Sequence, residues 1–322
     1  MTATVMLPSQ SAWADDGGNG GSSSTTPPSQ GKTESPDTIS AESHVQVVGS
    51  PNNNGTPMTS SDTSWSPPVC WYEPRYTPDE YKKSWDDAYR QAGSFERYVW
   101  EEQQQLQKID YNRGKDGLWW HLTYRQGISL DEMNSCKEMQ GDIWVPKGDP
   151  TPPDGAITPE ILSKIAYAAT KLPAPPVELS PSAGNQVVNL PTYIKFNKQL
   201  DRVWVTASID YRGLNIAATT VATPVAFKVD AGTPDADPQS CTYDLTKSSS
   251  GYQVDSSNAP CNITYRRSSG SSTYPLKAQI TWKVTWTAST NPDGAPQQPA
   301  LPDGLSTYNE DVTVKEIQTV VR

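Results

Sequence analysis

One run of alternating side chains constrains the fold of this chain more than any other feature of its sequence. Between residues 278 and 286, apolar and polar residues alternate without a break. The apolar positions are Ala278, Ile280, Trp282, Val284 and Trp286. Because successive side chains of a strand point to opposite faces, this spacing predicts a β-strand with one buried and one polar face.

The same alternation recurs in two earlier segments, residues 203–209 and 221–229, which place mostly apolar residues at every second position. Pro224 lies inside the second segment and lacks the N–H group that a sheet ladder uses, so it predicts an edge strand or a bulge. Turns rich in Gly, Pro, Asn and Asp separate six or seven such strands. The pattern predicts an antiparallel β-sandwich over residues 177–322.

A helix start is predicted in the aromatic-rich segment that precedes these strands. Thr77 supplies a capping hydroxyl, Pro78 suits the first helical position, and Glu80 completes a capping box. Tyr81 and Trp85 follow four residues apart and share one helix face. We therefore expect a two-domain α+β chain. Residues 65–155 form a small, mainly helical, aromatic-rich domain, and residues 156–176 form a connecting helix and a proline-rich hinge.

The N-terminal region carries two further predictions. Ala12-Trp13-Ala14 has the small-x-small pattern of a signal peptidase site, so residues 1–14 are interpreted as the remnant of a signal peptide. Residues 15–64 are rich in Ser, Thr, Gly, Asn, Pro and Asp, and this composition predicts a disordered linker. We expect a secreted protein, with a disordered N-terminus in a cytosolic protein as the alternative.

The four cysteines agree with export. Their spacing contains no Cys-x-x-Cys pair, and neither half of the chain offers enough Cys and His for a zinc site. Two cysteines fall in each predicted domain, which favours disulfides Cys70–Cys136 and Cys241–Cys261 among the three possible pairings. Four buried free thiols are the alternative.

Charge and motifs exclude several classes of function. The formal net charge is -10, so the chain offers no electrostatic surface for nucleic acid, and no segment is apolar over the length of a membrane span. Gly31-Lys32-Thr33 lacks the earlier glycine of a phosphate-binding loop, so we expect no cofactor. We predict no metal site either.

The sequence contains no known catalytic motif, so we predict no catalytic residue. His44 lies in the predicted linker, and His121 follows Trp119-Trp120, where a packed or surface histidine is the preferred interpretation. No Gly-x-Ser-x-Gly sequence is present. Paired carboxylates leave a glycosidase-like hydrolase open, because such enzymes use two carboxyl groups. The candidate pairs are Asp86-Asp87, Glu101-Glu102 and Asp131-Glu132.

Three tryptophans are candidate ligand-binding residues. Trp119 and Trp120 are neighbours, so on an extended chain they face opposite ways and one of them can remain exposed. Trp204 lies opposite the apolar face of its predicted strand. Exposed aromatic faces stack on sugar rings and anchor protein interfaces.

Two resemblances add to this picture. The segments 225–232, 261–265 and 281–286 resemble the Ig-like, PKD-type modules of secreted bacterial proteins. The whole chain resembles secreted actinobacterial proteins of unknown function, through Cys70-Trp71-Tyr72-Glu73-Pro74 and Ile143-Trp144-Val145-Pro146. These resemblances imply an exported protein and an Ig-like or PKD-like sandwich, and they imply no catalytic residue.

The sequence therefore predicts a non-catalytic extracellular module that contacts a cell-surface protein or a cell-wall glycan. A secreted hydrolase that uses the carboxylates of the N-terminal domain is the first alternative. A subunit of a surface-associated assembly is the second.

Overall fold

The computed structural model of the protein describes residues 43–91, 103–125, 127–139, 141–149 and 153–317. The predicted signal remnant and the predicted linker as far as residue 42 lie outside these residues. The chain divides into two compact units that interleave along the sequence, whereas the predicted domain boundaries follow chain order. Unit 1 comprises Met1–Gln46, Pro68–Ile161 and Ile209–Asn215, and unit 2 comprises Val47–Pro67, Leu162–Ser208 and Ile216–Arg322.

Strands make up most of the regular structure. The strands are β1 Gln46–Gly49, β2 Thr56–Pro57, β3 Thr59–Ser60, β4 Cys70–Tyr76, β5 Gly117–Tyr124, β6 Ile143–Pro146, β7 Lys171–Leu172, β8 Val177–Ser180, β9 Gln186–Val187, β10 Pro191–Phe196, β11 Val203–Tyr211, β12 Leu214–Asp230, β13 Ser240–Tyr243, β14 Thr246–Ser248, β15 Gly251–Gln253, β16 Ile263–Thr264, β17 Tyr274–Thr287, β18 Gly304–Val312 and β19 Val314–Lys315. The helices are α1 Pro78–Gln91, α2 Leu130–Asn134 and α3 Pro159–Ala168, and residues 103–108 are also helical.

Unit 1 is built on a three-stranded antiparallel sheet in the order β4-β5-β6. Its register aligns Glu73 with His121, and Trp120 with Ile143. The edge of β4 that does not face β5 is hydrogen-bonded to a neighbouring loop. There the Tyr72 amide donates to the Gly155 carbonyl at 2.9 Å. The described part of this unit therefore has a sheet at its centre.

Helix α1 begins where the sequence predicts. The Thr77 amide donates to a Glu80 carboxylate oxygen at 2.9 Å, and the Glu80 amide donates to the Thr77 hydroxyl at 3.3 Å. Tyr81 and Trp85 then point into the core of unit 1 with Trp119, and the Tyr81 and Trp119 rings stack 4.2 Å apart. The helix thus covers one face of the sheet.

The predicted fold class is wrong, because the described residues are mostly β and show no separate helical, aromatic-rich N-terminal domain. Strands account for 43% of the described residues and helices for 15%. The aromatic segment that was predicted to be helical supplies β4 and β5, while the short strand predicted at Ile143–Pro146 is present as β6. The interior positions of β4, Trp71 to Pro74, are all buried, so this strand lacks the polar–apolar alternation that marks a strand in sequence.

Unit 2 contains the predicted antiparallel sheet. Its strands run in the order β1-β11-β12-β17-β18-β3, with β13 also paired to β12. All five apolar positions of the alternating run in β17 are buried, and Trp282 is fully enclosed. The register of β12 against β17 shifts between Pro224 and Ala226, which confirms the predicted bulge.

A second, three-stranded sheet in unit 2 runs in the order β16-β10-β8. Phe196 of this sheet meets Phe227 of the first sheet edge to face, with ring centroids 5.0 Å apart. This β-rich antiparallel arrangement fits a β-sandwich, so that coarser prediction is confirmed.

Short strands lie inside the segment for which a linker is predicted. β2 pairs with β7, so that Thr56 faces Leu172, and β3 pairs with β18, so that Ser60 faces Gly304. The chain from Ser43 to Trp65 therefore differs from the predicted linker. The partner strands are distant in sequence, and backbone pairing with them orders this largely polar segment, together with the packing of Trp65 on Tyr167.

Both predicted disulfides are confirmed. Cys70 is bonded to Cys136 in unit 1, and Cys241 is bonded to Cys261 in unit 2. No free cysteine remains, so the alternative of free thiols is wrong.

Candidate functional site

Both histidines of the chain lie against buried carboxylates in unit 1. The Nδ1 atom of His121 is 2.6 Å from Oδ1 of Asp142. The Nδ1 atom of His44 is 3.9 Å from Oε1 of Glu73, and the backbone amide of His44 donates to the same oxygen at 3.3 Å. Glu73 and Asp142 are 0% and 1% exposed, whereas each histidine side chain is 33% exposed. Each imidazole therefore lies against a buried carboxylate on one side and is open to solvent on another.

The sheet register places three of these residues side by side. Glu73 on β4 is directly opposite His121 on β5, so the two side chains point to the same face. Asp142 directly precedes Ile143, the partner of Trp120, and therefore flanks His121 from the β6 side. The result is a row across the sheet in which one imidazole lies between two buried carboxylates.

Glu73 is stabilised by groups from the segment that precedes β1. The Ser43 hydroxyl donates to Oε2 of Glu73 at 2.8 Å, and the His44 amide donates to Oε1. A buried carboxylate without donors is strongly unfavourable, so these two bonds favour the ordered conformation of residues 43–45. The local fold therefore brings His44 to the sheet.

Asp142 has fewer hydrogen-bond partners than Glu73. Its Oδ1 meets His121, but its Oδ2 is buried and has no hydrogen-bond partner among the described residues. Burial, and then the charge of Asp142, raise the pKa of Tyr72 above its ordinary value. An unsatisfied buried carboxylate oxygen is uncommon in folded proteins and is a frequent mark of a functional position.

An open pocket of about 410 Å³ adjoins His44 in unit 1. Its lining is polar and aromatic and consists of His44, Arg75, Tyr76, Glu80, Lys83, Ser84, Asp87 and Tyr211. The Tyr211 hydroxyl donates to the Arg75 carbonyl at 2.6 Å, and its ring lies 4.2 Å from the His44 ring. His121 is close to this lining, because its ring centroid is 6.5 Å from that of Tyr76.

The charges around the pocket are paired. Glu80 bonds to Arg212, and Asp87 bonds to both Lys83 and Arg90. Burial alone raises the pKa of Glu80, but hydrogen bonds from Thr77 and the Arg212 charge together lower it. The Lys83 hydrogen bond is the main cause that lowers the pKa of Asp87. Both carboxylates are therefore held in the charged form.

The charged side chains that line the pocket are two cations and two carboxylates. Arg75 and Lys83 line it together with Glu80 and Asp87, and Arg90 and Arg212 bond to the two acidic residues from outside the lining. The N–H groups of Arg75 and Lys83 are of the kind that binds negatively charged oxygen atoms of a ligand.

The three tryptophans predicted to bind ligand do not line this pocket. Trp119 and Trp120 are only 1% and 5% exposed, so the expectation that one of them stays exposed is wrong. Trp119 packs against Tyr81, and Trp120 faces Pro74 in the adjacent strand. Trp204 is half-buried in unit 2. Its ligand-binding role stays a prediction.

The two predicted carboxylate pairs that lie within the described residues do not form a two-carboxylate site. Asp86 and Asp87 are bonded to Lys82 and Lys83 along helix α1. Glu132 caps α2 through Ser129 and also bonds to Arg125. The pair Glu101-Glu102 lies outside the described residues. The acidic residues that do converge on a common site, Glu73 and Asp142, were missed.

The described residues contain neither a metal-binding cluster nor a membrane-spanning helix. Within the described ranges, no group of three or more His, Cys, Asp or Glu side chains is arranged to hold a metal ion. None of the described helices has the length and apolar character that a membrane crossing requires.

Comparison with known proteins provides no relative from which a role can be transferred. No protein-family model, no curated protein and no solved structure matches the chain. The site must therefore be interpreted from its own chemistry.

Proposed function

We propose that this protein is an exported extracellular module that binds a cell-wall glycan in the pocket of unit 1. The observation that carries the proposal is the lining of that pocket, where the rings of Tyr76 and Tyr211 adjoin the charged side chains of Arg75 and Lys83. Sugars are bound by aromatic faces together with hydrogen-bonding groups, because a sugar ring has apolar faces and a polar rim.

The cysteine chemistry supports an extracellular setting. Both disulfides are formed, and disulfides persist in oxidising compartments outside the cytosol. The resemblance to secreted actinobacterial proteins agrees with this setting and suggests a bacterial cell wall as the source of the glycan. A role as a subunit of a surface-associated assembly stays a prediction.

The proposal is tested by sedimentation of the full-length chain with insoluble cell walls, chitin and cellulose. We expect retention on cell walls, and we expect Tyr211→Ala to weaken it about tenfold, which corresponds to about 1.4 kcal/mol of binding free energy. The physical reason is that Tyr211 supplies a ring face and also holds the Arg75 backbone at the pocket.

Trp204→Ala is the matched control, because Trp204 is a half-buried aromatic residue of unit 2 that does not line the pocket. Circular dichroism spectra must show that both variants are folded. Loss of retention in Trp204→Ala with full retention in Tyr211→Ala contradicts the proposal. That result moves the binding site to the other unit.

A further inference from the structure

We propose that His44 and His121 form an acid–base pair that cleaves a phosphodiester of the bound glycan by attack of a neighbouring hydroxyl group. The inference rests on the proposed glycan binding and deepens it by naming the linkage and the reaction. It starts from the observation that the two histidines of the chain each lie against a buried carboxylate of unit 1, where His44 lines the pocket and His121 lies next to its lining residue Tyr76.

The contact of His121 favours one role for it. Carboxylate oxygens accept hydrogen bonds, so the 2.6 Å contact with Asp142 favours the tautomer in which the imidazole proton is on Nδ1. In that tautomer the Nε2 atom carries a lone pair. A carboxylate-anchored imidazole in this tautomer is a general base, and Asp142 is its positioning residue.

His44 differs from His121 in its contact. Its Nδ1 is 3.9 Å from Glu73, a distance too long for a hydrogen bond, and has no hydrogen-bond partner among the described residues. His44 lines the pocket, so its ring is placed to exchange a proton with a bound ligand. The pair therefore offers one acid and one base.

The proposed reaction balances without any further reactant. The hydroxyl oxygen of the ligand attacks phosphorus while its proton moves to Nε2 of His121. The bond from phosphorus to the leaving oxygen breaks, and His44 donates its proton to that oxygen. The products are a cyclic phosphodiester and an alcohol, and proton exchange with water returns both histidines to their starting forms.

Two features of the site favour this substrate over a carboxylic ester. First, neither imidazole is hydrogen-bonded to a serine or cysteine in the described part of the chain, and the Ser43 hydroxyl is bonded to Glu73 instead. A hydroxyl group of the ligand itself supplies the nucleophile in the proposed reaction. Second, Arg75 and Lys83 line the pocket, and cations of this kind stabilise the charge on the non-bridging phosphate oxygens.

The test uses 2-hydroxypropyl 4-nitrophenyl phosphate, a diester whose own hydroxyl displaces 4-nitrophenolate. With the full-length chain and EDTA present, we expect turnover of this probe. We expect none with bis(4-nitrophenyl) phosphate, which has no neighbouring hydroxyl. His121→Asn should lower kcat/KM by about 10²–10⁴-fold. Asparagine can still donate to Asp142, so this variant keeps the buried contact.

The positioning role of Asp142 and the acid role of His44 are tested by different kinetic measurements. Asp142→Asn should lower kcat and leave KM unchanged, because it disturbs only the orientation of His121. His44→Gln should lower kcat/KM for this probe less than for poly(glycerol phosphate), since 4-nitrophenolate needs less protonation than an alkoxide. Tyr193→Ala serves as the folded control with unchanged turnover, because Tyr193 is an exposed residue of unit 2 that does not line the pocket.

The outcomes separate this inference from the proposed function. Binding of cell walls together with no turnover of either the probe or poly(glycerol phosphate) overturns the acid–base pair and leaves glycan binding intact. Turnover that survives in His121→Asn also overturns it. Turnover without cell-wall retention supports the acid–base pair and contradicts the glycan proposal.

Discussion

Replacing Trp119 with alanine is expected to lower the free energy of unfolding of unit 1 by about 3–5 kcal/mol. Trp119 is almost completely buried, its ring stacks on Tyr81 at 4.2 Å, and its Nε1 donates to the Tyr111 carbonyl at 3.0 Å. The substitution removes a large apolar side chain and leaves a cavity and an unpaired carbonyl in the same place.

Urea unfolding followed by circular dichroism measures this change, and the transition of each unit must be fitted separately because a two-unit chain need not unfold in one step. Trp119→Phe keeps a stacking ring but loses the hydrogen bond and part of the buried ring volume, so we expect a smaller loss of about 1–2 kcal/mol. A loss below about 1 kcal/mol in a folded Trp119→Ala protein is incompatible with the core position described above.

Removing the disulfide of unit 1 is the second large effect. The Cys70–Cys136 bond joins residues separated by 66 positions, and the chain-entropy relation gives about 4 kcal/mol for a loop of that length. For Cys241–Cys261, with a separation of 20, the same relation gives about 3 kcal/mol. We expect the double variant Cys70→Ser/Cys136→Ser to lose most of this stabilisation.

The two disulfides act as controls for each other. Cys70→Ser/Cys136→Ser should shift the transition of unit 1, and Cys241→Ser/Cys261→Ser should shift the transition of unit 2. Both effects should appear in urea unfolding under non-reducing conditions. If each pair of substitutions changes stability by less than about 1 kcal/mol, the loop-closure account of these disulfides is wrong.

The parts of the fold that follow local rules were predictable. The strand β17 has a strict period of two, the bulge at Pro224 follows from a missing N–H group, and the start of α1 follows from Thr77 and Glu80. In each case the signal and the structure lie within the same few residues.

The helical domain was predicted wrongly because β4 and β5 lack such a local signal. The interior of β4 is buried on both faces, and in β5 the neighbours Trp119 and Trp120 are both buried on opposite faces. A strand covered on both sides reads as a continuous aromatic run, and aromatic residues spaced four apart in α1 favoured a helix for the whole segment.

The candidate site was missed for a related reason. His44 and Glu73 are 29 positions apart, and His121 and Asp142 are 21 positions apart, so neither contact appears as a motif. Only the pairing of β4, β5 and β6 brings these side chains into one row. The interpretation of His44 as a linker residue also hid it, since the segment that precedes it is rich in Ser, Thr, Gly, Asn and Pro.

The most direct test of the account is an NMR titration that follows the imidazole signals of the two histidines while O-methylated poly(glycerol phosphate) is added, because this polymer lacks the attacking hydroxyl group and is not cleaved. Because His44 and His121 are the only histidines in the chain, assignment needs only His44→Gln and His121→Asn. The account predicts that both imidazoles shift and saturate together, and that Tyr211→Ala weakens both responses. Retention of the protein on cell walls, with neither imidazole signal moved by the saturating polymer, contradicts the assignment of this pocket and its histidines to an anionic cell-wall polymer.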